Sequence, residues 1–160
     1  MTRRITILLL VLLNVGCDQY SKDLVRQNVV PLERIYLIQD HFLLTHVENT
    51  GAMLGFGQSL PPLPKMVLLQ IVPILVLTVL LFRLFLKSGL DQWLLIAFAF
   101  VIGGGIGNLM DRIRHGSVTD FFQLKFGFLQ TGIFNMADVS VTLGALLILG
   151  LFLFGKKVSL

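Results

Sequence analysis

Three aspartates, Asp111, Asp120 and Asp138, fall within residues 111–138. Asn108, Asp111 and Arg112 stand at i, i+3 and i+4, and Asn135 and Asp138 at i, i+3. On a helix each set shares one face. Two faces rich in Asn and Asp predict a shared polar pocket. Two carboxyl groups meeting there have the chemistry of an aspartyl-protease dyad. Close carboxylates cannot both ionise easily, so they share one proton. One then acts as base on a water and the other as acid on the leaving amine. Their titration belongs to the pair.

The same residues allow plainer readings. Asp111 beside Arg112 reads equally as an ion pair at a helix end. Asp120, in Ser117-Val118-Thr119-Asp120, reads as a solvated loop residue. Asp138 reads as an acid favoured by the positive end of a helix dipole. By residue type alone, the three acids support a functional pocket without naming its reaction. Two other classes stand beside the peptidase here. One is a small transporter or channel with Asp138 and Arg112 lining a polar path. The other is a structural adaptor packed through a glycine-rich helix.

Other motifs carry less. Gly103-Gly104-Gly105-Ile106-Gly107 invites a phosphate-loop reading, but it lacks the Walker lysine and lies in an apolar run. Close helix packing through small residues fits it better. His41, His46 and His115 have no metal-ligand spacing. The single cysteine, Cys17, excludes an internal disulfide and a multi-cysteine zinc site. In an apolar run it reads as a small packing residue.

The elements that must position these residues follow from composition. The chain has 160 residues, 55% hydrophobic and 14% charged, with a mean hydropathy of +0.84. An ordinary soluble domain carries about 25% charged residues, and a short chain has much surface to cover. Soluble globular, disordered and coiled-coil classes are thereby excluded in favour of a membrane protein. The net charge of +4 then reads as topology and lipid contact, with no nucleic-acid partner.

Hydropathy predicts an all-α membrane protein, a single integral domain over residues 1–160. Four transmembrane helices are expected at about 5–25, 66–87, 92–112 and 134–155. Residues 5–17 resemble a signal peptide, and Leu13-Asn14-Val15-Gly16-Cys17 a lipoprotein box. A retained first helix is the better reading, because the rest of the chain is membrane-embedded too. Pro73 is expected to kink the second helix. Residues 28–64 carry scattered charges, short β-rich pieces, then Gly51, Gly55, Gly57 and three prolines. They read as an extramembrane β-rich cradle. Residues 111–134 read as a second polar segment.

Four spans put Arg3, Arg4, Arg83, Lys87, Lys156 and Lys157 on one side, and the other seven basic residues opposite. The first side has short segments dense in Lys and Arg. Density therefore favours both termini in the cytoplasm.

At these residues the chain resembles a known family. The blocks are Glu48-Asn49-Thr50-Gly51-Ala52, Gly103 through Arg112, Gly116-Ser117-Val118-Thr119-Asp120-Phe121 and Phe134-Asn135-Met136-Ala137-Asp138. With Asp18-Gln19 and Lys22 ahead of them, they resemble in order the signature blocks of bacterial lipoprotein signal peptidase (signal peptidase II). The resemblance spans nearly the whole chain. It implies a multi-pass inner-membrane aspartyl endopeptidase with its active site near the outer face. Such an enzyme cleaves diacylglyceryl prolipoproteins just before the lipidated cysteine, using no metal or organic cofactor. It is expected to work as a monomer in contact with membrane lipid. By position, the resemblance implies Asp120 and Asp138 as the catalytic pair. It implies Asn49, Gly51, Asn108, Arg112 and Asn135 as the surrounding shell, Asp111 as a structural acid and Asp18 as a polar anchor. Two positions depart from the family pattern. Met53-Leu54 stands where a small residue and Phe are usual, and Val118-Thr119 where a Val-Val pair is common. Both sit beside the site without removing a charged or amide group.

Overall fold

The computed structural model describes residues 2–87 and 89–154. The loop residue Ser88, Lys156, Lys157 and the last position of the expected fourth helix lie outside them.

The chain runs α1 (Thr2–Asn28), β1 (Arg34–Ile38), β2 (Phe42–Asn49) and a 3-10 turn (Met53–Gly55). A long helical rod follows, made of α2 (Pro62–Met66), a π turn (Val67–Ile71) and α3 (Val72–Leu86). Then come α4 (Gln92–His115), β3 (Val118–Phe126), β4 (Leu129–Gln130) and α5 (Met136–Leu153). Among the described residues, three helical stretches are long and apolar enough to cross a membrane: Pro62–Leu86, Gln92–His115 and Met136–Leu153. The helix α1 is longer than any of these but turns polar after Cys17, where Asp18, Lys22, Asp23 and Arg26 follow.

Local chemistry explains the boundaries. Pro62 opens its helix, where a missing N–H costs nothing. The segment's irregularity is the π turn just ahead of Pro73. A wide turn there absorbs the hydrogen bond that proline cannot donate. The Asp91 carboxylate caps α4 by accepting from the Trp93 amide. Gly116, with φ +75°, ends α4 in a left-handed turn that favours glycine. Asn135 and Asp138 form a reciprocal capping box at the start of α5.

Helix α4 is the centre of the bundle, and its glycines make it so. A Cβ on Gly103 would meet the Asn14 side chain of α1 at 2.6 Å. One on Gly104 would meet the Ala137 carbonyl of α5 at 2.4 Å, and one on Gly105 Leu77 of α3 at 2.8 Å. Successive positions turn by about 100°, so three neighbouring glycines admit three different helices. The run is a packing device, as small residues in apolar helices commonly are. Ser140 of α5 also donates to Asn14 Oδ1 of α1 at 2.6 Å, joining the last helix to the first.

The sheet departs from expectation. It is antiparallel, in the order β1-β2-β3-β4. The cradle between the first two helices supplies only β1 and β2. The longest strand, β3, comes from the segment after α4, which the sequence suggested was a polar connection. Its Phe122-Gln123-Leu124-Lys125-Phe126 alternates apolar and polar residues, the period of a half-buried strand. The acids nearby masked that signal. Asp120 is therefore a buried strand residue, 5% exposed, and the solvated-loop reading is corrected.

Replacing Gly104 with Ala is expected to destabilise the protein by about 1–3 kcal/mol through overpacking against a backbone carbonyl. Gly150, with open space around it, should tolerate the same change. Thermal unfolding of both variants in detergent checks this, and equal midpoints would contradict the packing account.

Candidate active site

The site rests on a knot of buried charge. Helix α1 places Asp18, Lys22 and Arg26 four residues apart, on one face. Asp18, Lys22 and Asp111 are each fully buried. The Lys22 ammonium lies 2.7 Å from Asp18 Oδ2, 3.0 Å from Asp111 Oδ2 and 2.9 Å from Asn108 Oδ1. An ammonium has three donors, and all three are used. Asp18 Oδ1 accepts from the Ala137 amide in the first turn of α5 at 2.8 Å. Asp111 Oδ1 accepts from Gln19 at 3.1 Å and lies 3.1 Å from the Arg26 guanidinium. Asp111 Oδ2 also accepts from the Thr119 amide of β3 at 3.3 Å. Asp111 thus bonds across the bundle. Its neighbour Arg112 turns instead to the Gly51 carbonyl, 2.9 Å away.

Two aspartates face a cavity above this knot. Asp120 comes from β3 and Asp138 from the first turn of α5. Asn135 Nδ2 donates to Asp120 Oδ1 at 2.6 Å, and Asn49 Nδ2 to Asp120 Oδ2 at 3.0 Å. Asn108 Nδ2 donates to Asp138 Oδ1 at 2.8 Å, and the Asn135 amide to Asp138 Oδ2 at 3.2 Å. Each of the four carboxyl oxygens so receives one donor. Lys22 settles the amide geometry. An ammonium only donates, so Asn108 must turn its oxygen to Lys22 and its NH₂ to Asp138. Asn135 Nδ2 donates to that same Asn108 oxygen at 3.1 Å. Burial pushes the Asp120 carboxyl up to about 6. The Asn49 bond opposes this, the Asp138 charge adds to it, and the Asn135 bond again opposes it.

The cavity holds about 680 Å³. Its polar end carries Asn49, Asn108, Arg112 and the two aspartates. Its long wall is apolar, with Ile133, Phe134, Val139, Val141 and Leu143 beside Met53 and Leu54. Gly51 contributes backbone: its amide donates to Asn49 Oδ1 at 2.9 Å and its carbonyl takes Arg112. A side chain there would collide with the backbone of Gly55 and Phe56 at 2.8 Å. The loop beyond it carries Leu54 to Gly132, where a Cβ would stand 2.7 Å from the Leu54 methyl. Among the described residues, no group of three or more His, Cys, Asp or Glu side chains could hold a metal ion.

Asn49, Asn108, Arg112, Asp120 and Asp138 line the cavity, and Asp18 and Asp111 lie in the knot beneath it, while Gly51 and Asn135 bond to the lining through Arg112 and through Asn108 and Asp120. Sequence reasoning left out Arg26, and quoted Gln19 and Lys22 without giving either a place in the site. The Asp18, Lys22, Arg26 spacing was the available signal, since ionisable groups in an apolar setting must pair inward.

The family model for Signal peptidase (SPase) II matches residues 10–154. The lipoprotein signal peptidase of Enterococcus faecalis is 32% identical over 160 residues, covering 99% of this chain and 95% of that protein. That of Pelodictyon phaeoclathratiforme is 36% identical over 152 residues, covering 88% and 85%. A solved structure described as a bacterial membrane enzyme superposes with a TM-score of 0.80 at 26% identity, covering 97% of this chain and 94% of its own.

Removing the ammonium with Lys22→Met leaves two buried acids without a counter-charge. The expected loss is about 3–5 kcal/mol of stability. Lys22→Met combined with Asp18→Asn should lose less than Lys22→Met alone. Unfolding midpoints in detergent test the order, and a double variant weaker than the single would refute it.

Proposed function

Because the chain belongs to the signal peptidase II family of aspartic peptidases, we propose that it hydrolyses diacylglyceryl prolipoproteins just before the lipidated cysteine. The water is activated between Asp120 and Asp138. The observation that carries this reading is the pair itself. Two aspartates line one cavity, and both are gripped by asparagine side chains that hold oxygen positions without neutralising charge.

The chemistry follows from their surroundings. Asp120, the deeper acid, holds the shared proton, as its raised value near 6 suggests. Asp138 takes a proton from the water, and the resulting hydroxide adds to the scissile carbonyl carbon. The C–N bond breaks as Asp120 gives its proton to the leaving amine. One proton has then moved from Asp120 to Asp138, and its return resets the pair. No covalent enzyme intermediate is needed. Arg112 supplies a fixed donor for a substrate carbonyl or head-group oxygen. Its Nε is buried and has no hydrogen-bond partner among the described residues. The apolar cavity wall along α5 suits acyl chains and the apolar end of a signal peptide.

The membrane setting is read the same way. In this proposal α1 is a fourth span within a single integral membrane domain. Leu9, Leu12 and Leu13 on its exposed face meet lipid, while Asp18 and Lys22 neutralise each other inside. Both termini lie in the cytoplasm, and the sheet and dyad sit near the outer face. The enzyme acts as a monomer, since all the groups named come from one chain.

Cleavage of a diacylglyceryl prolipoprotein in detergent tests the assignment. Asp120→Asn and Asp138→Asn should each lower kcat by about 10²–10⁴-fold in folded protein. Asp111→Asn should keep measurable activity per folded molecule. A dead Asp111→Asn beside an active Asp120→Asn would move the dyad to Asp111. The pH profile has a defined sign. Activity needs the Asp120 proton, so kcat/KM should fall as pH rises through about 6. Bound substrate excludes water and disfavours the charged form, so the alkaline limb of kcat should lie higher than that of kcat/KM.

A further inference from the structure

Successive residues of a strand point to opposite faces. Val118 and Asp120 face the dyad cavity, and Thr119 between them points away into a second polar cluster. Thr119 is fully buried. Its hydroxyl donates to Glu48 Oε1 at 2.7 Å and accepts from Arg26 Nε at 2.8 Å. The directions are fixed, because a guanidinium only donates and a carboxylate only accepts. Ser117 donates to the other oxygen of Glu48. His46 bridges Glu48 Oε1 and the Val29 carbonyl, at 3.1 and 3.0 Å. The Arg26 guanidinium continues to Asp111 at 3.1 Å and to Asp23 at 3.2 Å. The peptidase chemistry uses none of these side chains directly.

Their position in the sheet gives them a task. Val47 of β2 pairs with Asp120 and Glu48 with Thr119, and the β2–β3 register is broken between Leu44 and Val47. A bulge leaves a residue unpaired and disrupts the ladder locally, so the pairs beside it must hold the strands in step, and a slip of one residue turns every side chain to the other face. A slipped Asp120 would leave the cavity and both its asparagine donors. The cross-strand bonds of Glu48 lie immediately beside that break in the ladder.

We propose that Glu48 and Thr119 are positioning residues, a carboxylate–hydroxyl–guanidinium staple that locks the β2–β3 register and holds Asp120 between Asn49 and Asn135. The proposal rests on the reading of Asp120 as a member of the dyad. A valine at position 119 would keep the shape, break both hydroxyl bonds and strand Arg26 Nε. Burial raises the Glu48 carboxyl. The bonds from Ser117, Thr119 and His46, with the Arg26 charge, outweigh burial and hold it below the usual range. The staple therefore stays ionised through the working pH.

The test compares full-length wild type, Thr119→Val, Thr119→Ser and Glu48→Gln in detergent, with a diacylglyceryl prolipoprotein as substrate. It reads kcat, KM, the alkaline limb of the pH profile and the folded fraction. Thr119→Val should lower kcat about tenfold per folded molecule, a misplacement effect, with KM little changed. Slackened bonds from Asn49 and Asn135 should let Asp120 hold its proton more tightly, moving the alkaline limb upward. Glu48→Gln should move both readouts the same way, and Thr119→Ser should restore both. Activity lost only in proportion to folded protein, with the limb unmoved, would overturn the staple. So would a Thr119→Val enzyme indistinguishable from wild type. A wild type that cleaves nothing would instead remove the dyad reading, and this proposal with it.

Discussion

One ammonium group organises this protein. Lys22 is sealed from solvent, and its three N–H bonds end on Asp18, Asp111 and Asn108. Taking such a charge out of water costs several kcal/mol, recovered only in good geometry. That requirement fixes how α1 lies on α4 and, through Asp18 and the Ala137 amide, how α5 begins. It also reaches the cavity. Because Asn108 must show its oxygen to Lys22, its nitrogen must serve Asp138. The acids of the site are thus aimed by a cation that does not touch them.

Such bonding needs helices that approach closely, and α4 supplies the surface. Gly107 makes the point most directly, since a Cβ there would fall 2.4 Å from the Asp18 carboxylate. A methyl group at that position would displace an acid that Lys22 requires. Small residues and buried ions are two parts of one arrangement. In hydrocarbon no aqueous solvent compensates for a loosened polar contact.

Much of this was legible in the residues. Composition and apolar runs announced a membrane protein with most of its helices. The i, i+3 and i+4 spacings announced the polar faces of α4 and α5. Asn108 and Asp111 share Lys22, as one helix face requires, whereas Arg112 reaches out to Gly51. The sheet was half legible. β1 and β2 carry apolar and β-branched residues between turn signals, but β3 begins with buried polar residues, Thr119 and Asp120, that mimic a loop. Its identity depends on pairing with β2, a contact that no local pattern contains. The knot escaped for the same reason. Spacing shows Lys22 beside Asp18, and only the folded bundle brings Asp111 to it.

The bonds between the first helix and the last bear on how the protein is made. Asp18 meets the Ala137 amide 119 residues away, and Asn14 meets Ser140 across 126. A chain emerging from the ribosome therefore completes α1 long before the residues that bond it exist. During that wait Asp18 and Lys22, one turn apart, can already neutralise each other. Asp138 arrives with the final helix. In the proposed mechanism a nascent chain that has not reached α5 holds Asp120 without Asp138, and so cannot cut the precursors inserted beside it.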